Sequence, residues 1–172
     1  QDDMQSALDI DRALSVMERT FESGGPVEGR VGTVLNWAGM APQQFQDFKA
    51  ASDSYTVQAQ ALIKGIPSNF DVQTFQKIIP KPPNSDAYNK TLIGFQRQAL
   101  KTMLEAKLGF YKGLQYKIPD NVLSLANRLN VKDVPALNAD QAAAKLESLN
   151  GEMARIVGTQ TDLYKKYGLD PR

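Results

Sequence analysis

Residues 85–110 have the sequence SDAYNKTLIGFQRQALKTMLEAKLGF, and this stretch decides the fold. Apolar residues recur in it every three or four positions, which is the period of an amphipathic α-helix. One stripe contains Tyr88, Leu92, Phe95 or Gln96, Ala99, Met103, Ala106 and Phe110, and Ile93, Leu100, Leu104 and Leu108 flank it. Because the apolar stripe is broad, the pattern predicts a long helix at the centre of a helical bundle.

Shorter helical patterns precede this stretch. A first helix is predicted over about residues 4–22, a brief one around Trp37 over residues 31–38, and a third from Pro42 to Leu62. Gly65 is placed to end the third helix, because glycine adopts the left-handed conformation at a helix C-terminus. Ser68 and Asp71 have the spacing of a capping box and predict a short helix carrying Val72, Phe75 and Ile78. Pro80 ends it, and residues 81–85 are expected to form an extended connection.

Two helices are predicted after the central one. Pro119 and Asp120 are expected to end the central helix and to cap a short helix that carries Leu123 to Leu129. Asn138 is expected to cap the last helix. In that helix Ala142, Leu146, Leu149, Met153, Ile156, Gln160, Leu163 and Tyr167 alternate spacings of four and three. This heptad seam packs either inside the domain or against a partner helix, and ordinary bundles favour the internal alternative.

The predicted fold is therefore all-α, an irregular bundle of six or seven helices with one long central helix and a heptad-patterned C-terminal helix. Residues 1–80 are expected to form an N-terminal helical subdomain. Residues 84–172 are expected to form the long central helix and a C-terminal helical hairpin, and the two parts to make one compact domain. Because the sequence starts at Gln1, we expect a processed product or a piece of a longer chain.

Composition disfavours most enzyme classes. The 172 residues include no cysteine and no histidine, the side chains that dominate zinc and haem sites, thiol catalysis and imidazole acid–base chemistry. We therefore predict a protein that is not an enzyme, with no cofactor, no metal and no small-molecule substrate. No apolar run approaches the roughly 20 residues needed to cross a bilayer, so no transmembrane span is predicted.

One enzymatic alternative rests on Glu22. The sequence Glu22-Ser23-Gly24-Gly25 at the end of an apolar helix looks like the start of a lytic transglycosylase site, where a glutamate is the general acid. The downstream motif of that family, which carries glycine, leucine and glutamine, is missing here. A cell-wall glycosidase is therefore the minor alternative, and a surface glutamate beside a helix-ending glycine is the favoured interpretation.

Charge is distributed unevenly along the chain. Residues 1–25 carry six carboxylates against two arginines, whereas residues 76–117 carry eight basic side chains against two carboxylates. The candidates for contact with nucleic-acid phosphates or acidic lipid head groups are five cations with four aromatic residues interleaved: Lys90, Arg97, Lys101, Lys112 and Lys117, with Tyr88, Phe110, Tyr111 and Tyr116. The acidic first helix offers an internal partner of opposite sign, and such pairing is the commoner role of a charged helix face.

Candidate protein-contact residues lie mainly towards the C-terminus. They are Met153 in the heptad seam, Tyr164 and Tyr167 near the end of the same helix, and the Lys81-Pro82-Pro83 connection. Through them the domain is expected to bind other proteins or to self-associate.

The order of several turn and helix features over residues 8–104 resembles segments of large virion proteins of tailed bacteriophages. The resemblance rests on Ser23-Gly24-Gly25-Pro26, Gly29-Arg30, Trp37-Ala38-Gly39, Phe45, Phe48, Leu62-Ile63-Lys64-Gly65, Ser68 to Asp71, Pro80, Asn89, Ile93 and Gln96. It implies a structural module of a virion protein that packs against portal, tail or ejection proteins and is ejected with the DNA. No active site transfers with the resemblance. The alternative is a periplasmic or secreted helical binding protein whose signal peptide has been removed.

Overall fold

The computed structural model describes residues 2–22, 42–80 and 86–167, and these residues form helices and their connections without a β-strand. The helices are α1 Asp2–Glu22, α2 Pro42–Ile63, α3 Val72–Lys77, α4 Asp86–Gly113, α5 Asp120–Arg128 and α6 Ala139–Tyr167. The predicted all-α class is confirmed. The brief helix predicted over residues 31–38, with Trp37, and the Lys81-Pro82-Pro83 connection lie outside the described residues.

Helix α4 provides the centre of the core, as the sequence predicted. Leu92, Ile93, Ala99, Leu100, Met103, Leu104, Ala106 and Leu108 are all buried along it. At the position where the pattern allowed either Phe95 or Gln96, the structure buries Gln96 and leaves Phe95 half-buried. A polar side chain therefore lies inside the central helix of the core and has to find partners there.

One contiguous core joins the two halves of the chain. Helix α1 contributes Ile10, Leu14 and Met17, α2 contributes Phe48, Tyr55 and Leu62, and α6 contributes Leu146, Leu149 and Met153. Since side chains from both sides of residues 80–84 belong to the same buried cluster, residues 1–80 and 84–172 do not have separate cores.

The ends of the helices follow the sequence signals in part. Gly65 has a φ of +87° just after α2, the left-handed conformation predicted for it. At the start of α6, the Asn138 side chain accepts a hydrogen bond from the Gln141 backbone N–H at 2.9 Å, and the Gln141 side chain accepts one from the Asn138 N–H at 3.0 Å. This reciprocal pair is a complete capping box, stronger than the single cap predicted at Asn138.

Two predicted caps are displaced. Helix α3 is capped by Asp71 and not by a Ser68–Asp71 box, because the Asp71 side chain accepts hydrogen bonds from both the backbone N–H and the hydroxyl of Thr74. These bonds stabilise the carboxylate and lower the pKa of Asp71. At α5 the cap position is Pro119, without a side-chain hydrogen bond, so Asp120 is the first helical residue and not the cap.

Buried Gln96 is held by two other segments of the fold. The Tyr55 hydroxyl of α2 donates a hydrogen bond to Gln96 Oε1 at 2.6 Å, and Gln96 Nε2 donates one to the carbonyl of Ile78 at 3.1 Å. The Tyr55 ring stacks on Phe75 of α3 with 5.4 Å between centroids. The side chain of Gln96 thus connects α4 to α2 and to the residues after α3.

We expect Tyr55→Phe to lower the free energy of unfolding by about 1–2 kcal/mol at neutral pH, because Gln96 Oε1 loses its buried donor. Burial also raises the pKa of Tyr55 well above 10.0. In the unfolded chain the phenol ionises from about pH 10, so the unfolded state then binds fewer protons than the folded state and stability falls as pH rises. This contribution is complete below about pH 10 and declines above it by up to about 1.4 kcal/mol per pH unit.

Urea denaturation between pH 8 and pH 11 measures this effect. The deficit of Tyr55→Phe should shrink above about pH 10, whereas Tyr116→Phe at an exposed position should follow the wild-type profile. If the free energies of unfolding of Tyr55→Phe and the wild type differ by the same amount at every pH, the buried phenol does not control alkaline stability.

The segment between α5 and α6 packs closely against the end of α4. The Leu137 N–H donates a hydrogen bond to the Gly109 carbonyl at 2.9 Å. A Cβ atom on Gly109 would lie 2.6 Å from the Leu137 side chain, and one on Gly113 would lie 2.2 Å from the Leu137 carbonyl oxygen. Two glycines one turn apart therefore provide the space in which residues 131–138 cross the helix.

Gly113→Ala should destabilise the domain by about 1–3 kcal/mol, because the new methyl group meets a backbone carbonyl that is fixed by its neighbours. Gly94→Ala in the same helix is the matched control, since nothing lies within 4 Å of the position that its Cβ atom would take and alanine favours the helix by up to about 1 kcal/mol. Chemical denaturation should show opposite shifts for the two variants. A stabilising Gly113→Ala would mean that residues 131–138 do not pack here.

Candidate interaction surfaces

A cluster of four charged residues connects α1 to α4 and α5. Arg97 of α4 pairs with Asp11 at 3.3 Å and with Glu18 at 2.5 Å, and Arg128 of α5 pairs with Asp11 at 3.1 Å. Asp11 is the most buried member, with 12% of its side chain exposed. The structure thus uses the charge of Arg97 inside the fold, through the internal pairing with the acidic first helix that the sequence offered as one alternative.

The basic stretch of residues 76–117 does not form one continuous cationic surface. Lys90 is exposed and Lys101 is half-buried, while Arg97 is engaged with α1. Lys107 is buried, and its ammonium group donates a hydrogen bond to the Lys64 carbonyl and lies 4.9 Å from the centre of the Tyr111 ring. The predicted nucleic-acid surface of Lys90, Arg97 and Lys101 therefore lacks the guanidinium that was its strongest phosphate ligand.

Of the three C-terminal candidate side chains, the structure describes only Met153. Met153 is fully buried in the domain core, so the seam packs internally up to this residue and Met153 is not an external contact. Ile156 is half-buried against the same core. The helix backbone continues to Tyr167, whereas the side chains of Tyr164 and Tyr167 lie outside those that are described.

Polar contacts fix the first half of α6 to the rest of the domain. Asn150 accepts a hydrogen bond from the Asp71 N–H at 3.1 Å and donates one to the Asn69 carbonyl at 3.2 Å. Lys145 forms an ion pair with Glu105 of α4 at 2.9 Å. Polar contacts therefore anchor helix α6 both to the residues just before α3 and to α4.

An open groove of about 790 Å³ lies between α1 and α2. Its polar lining includes Asp9, Arg12 and Arg19 from α1 and Asp47 and Gln58 from α2. The Arg12 and Asp9 side chains pair with each other at 3.3 Å. This groove gives the domain a mixed-charge concavity, and it was not predicted from the sequence.

The connection between α4 and α5 exposes Tyr116, a candidate from the sequence, beside leucines that the sequence analysis did not single out. Leu114 is 47% exposed and Tyr116 is 61% exposed, and Leu123 on α5 is 41% exposed. Leu123 also lines a cleft of about 270 Å³ between α4, α5 and residues 131–134. The sequence predicts a central helix that continues up to Pro119, whereas the structure ends it at Gly113, and this earlier end places Leu114 in the connection.

The described part of the chain contains no group of three carboxylates arranged to hold a metal ion. None of its helices is long and apolar enough to cross a membrane. Glu22, the candidate acid of the glycosidase alternative, is the last residue of α1, and its side chain lies outside those that are described. That alternative stays a prediction.

Comparison with known proteins adds no relative. No protein-family model, no curated protein and no solved structure matches this chain. The resemblance to segments of phage virion proteins therefore stays a prediction.

In the charged cluster, the shorter ion pair involves the more exposed carboxylate. The coupling energies of the two pairs therefore show whether distance or burial determines their strength. Glu18 is the closer partner of Arg97, but 42% of its side chain is exposed against 12% for Asp11. Because solvent screens exposed pairs, we expect a coupling energy of about 1–3 kcal/mol for Asp11 with Arg97 and below about 1 kcal/mol for Glu18 with Arg97.

Two double-mutant cycles with alanine substitutions, followed by urea denaturation, measure these couplings. The value for Glu18 with Arg97 should also fall in 1 M salt, where the screening length is about 3 Å. If the Glu18 coupling is the larger one, the short distance and not burial determines the strength of the cluster.

Proposed function

We propose that this chain is a structural, non-enzymatic interaction module of a tailed-phage virion protein. In this proposal it acts by helix packing against portal, tail or ejection proteins, or against another copy of itself, and it leaves the particle with the DNA. The observation that carries the proposal is the length of α6 together with the heptad pattern that continues to its end.

Helix α6 has 29 residues and is therefore about 43 Å long. Among its described seam positions Met153 is the last that is fully buried, Ile156 is half-buried against the core, and the helix backbone continues to Tyr167, 14 residues or about 21 Å beyond Met153. In the sequence, the heptad spacing continues through Ile156, Gln160, Leu163 and Tyr167. A long helix with a continued heptad pattern is suited to packing against a second helix.

Two further observations support a packing role. Asp11, the most buried member of the charged cluster, contacts two arginines of the same domain, which is an arrangement for holding helices together. The turn and helix features that resemble phage virion segments lie in residues 8–104, so the resemblance and the C-terminal half of α6 belong to different parts of the chain.

Mass spectrometry of purified particles tests the proposal. Intact virions should contain the tryptic peptide of residues 146–155, and particles that have ejected their DNA should have lost it. Its presence in both kinds of particle would make the protein a retained structural component and would remove the ejection step. Its absence from both would contradict the virion role and favour the secreted binding protein.

Cross-linking in the purified particles can locate the contact face of α6. Because the chain has no cysteine, a single introduced cysteine is a unique label. Leu163→Cys places a thiol on the heptad stripe, and Asp162→Cys places one on the neighbouring residue, roughly 100° away around the helix. A maleimide cross-linker should join Leu163→Cys, and not Asp162→Cys, to a neighbour in the particle. Equal cross-linking from both positions would contradict packing along the stripe.

A further inference from the structure

Six consecutive residues, 112–117, are exposed where α4 ends and the chain turns towards α5. We name residues 112–117 the α4–α5 turn. Its apolar members are Leu114 and Tyr116, which rank among the most exposed large hydrophobic side chains of the described residues. Exposed apolar side chains that lie together usually mark a contact surface.

The conformation of this turn is fixed by hydrogen bonds and by aromatic packing. The Tyr116 N–H donates to the Tyr111 carbonyl at 2.9 Å and the Gln115 N–H to the Lys112 carbonyl at 3.0 Å, which is the bonding of a Schellman motif. Gln115 takes the left-handed position with a φ of +60°. The Tyr116 ring also contacts the Tyr111 ring edge-on, with 5.5 Å between centroids. Leu114 and Tyr116 are therefore held at the surface without a further loss of backbone entropy on binding.

Cations surround these apolar side chains. Lys112 and Lys117 are the first and last residues of the turn, and exposed Lys132 lies in the segment beside it. The Lys112 ammonium group donates a hydrogen bond to the Val134 carbonyl at 2.8 Å, which holds the turn and residues 131–134 together. Asp120 and Asp133 are the carboxylates of the same region, so the balance of charge stays positive.

We infer that the α4–α5 turn binds the surface of an anionic lipid bilayer. Leucine and tyrosine at the apex suit the boundary between head groups and acyl chains, where a tyrosine keeps its ring in the apolar layer and its hydroxyl in water. Lysines on both sides suit the negative head groups, and their long stems allow the ammonium groups to stay at the interface.

The size of the surface favours a bilayer over a protein partner. A stable protein interface needs about 800 Å² from each side, or some 20–30 residues, and six residues cannot provide this. A bilayer accepts a few inserted side chains and adds electrostatic attraction to Lys112, Lys117 and Lys132. Binding through the turn is peripheral and reversible, and it requires no spanning helix. The inference concerns residues 112–117 and does not depend on the virion proposal.

Flotation with lipid vesicles tests the inference on the full chain. At 50 mM salt the protein should float with vesicles of phosphatidylcholine and phosphatidylglycerol at a ratio of about 3 to 1, and not with pure phosphatidylcholine, because anionic lipid supplies the attraction. A cysteine introduced as Tyr116→Cys and labelled with an environment-sensitive dye should shift to the blue on the anionic vesicles. The same dye on Thr159→Cys, exposed on α6, should not shift.

Two double variants separate the apolar and the charged contributions. Leu114→Ser with Tyr116→Ser should abolish flotation, and Lys112→Gln with Lys117→Gln should weaken binding by about 25-fold, or roughly fivefold for each lysine. Lys49→Gln with Lys77→Gln removes two exposed cations elsewhere and should change the affinity by less than about threefold. Circular dichroism confirms that each variant is folded before binding is measured.

Three results would overturn the inference. The first is no binding of the wild type to anionic vesicles, and the second is equal weakening by the control pair at Lys49 and Lys77. The third is a blue shift of the dye at position 116 that grows with protein concentration in the absence of lipid, which would assign the turn to a contact between two copies of the chain.

Discussion

Polar side chains on the central helix need buried partners, and this requirement determines how the other helices are arranged around it. Gln96 and Arg97 are consecutive in α4, so they point to different sides of it and bind different neighbours. Gln96 binds Tyr55 of α2 and the carbonyl of Ile78, and Arg97 binds Asp11 and Glu18 of α1. Apolar packing alone would allow α4 to rotate or slide against these helices, whereas hydrogen bonds accept only a narrow range of positions.

Helix positions were accessible from the sequence because they follow from local regularities. The period of the apolar residues in α4, the glycine after α2 and the asparagine before α6 each act within a few residues. The caps at α3 and α5 were misplaced because several capping residues were available within one turn. Asp71 has both the hydroxyl and the N–H of Thr74 as donors, and a sequence pattern does not show which donor will be within reach.

The candidate surfaces were harder to predict, because exposure depends on contacts far apart in the chain. Arg97 appeared to be a phosphate ligand, but its partner Asp11 precedes it by 86 residues. Met153 belonged to the predicted seam, and only the packing of α6 shows how far along the seam the domain core extends. Leu114 and Tyr116 are exposed because Gln115 adopts a conformation that sequence patterns assign to glycine.

The contacts of Asp11 also bear on how the domain is completed during synthesis. Helices α1 and α2 emerge from the ribosome before α4 and α5. The arginines that pair with Asp11 are residues 97 and 128, which emerge much later. The hydrogen bond from the Leu137 N–H to the Gly109 carbonyl, in contrast, joins two residues that emerge close together in time. The contacts of α1 are therefore completed by helices that are made after it, and until Arg128 has left the ribosome the nascent chain carries an acidic helix whose central carboxylate lacks one of its two arginines.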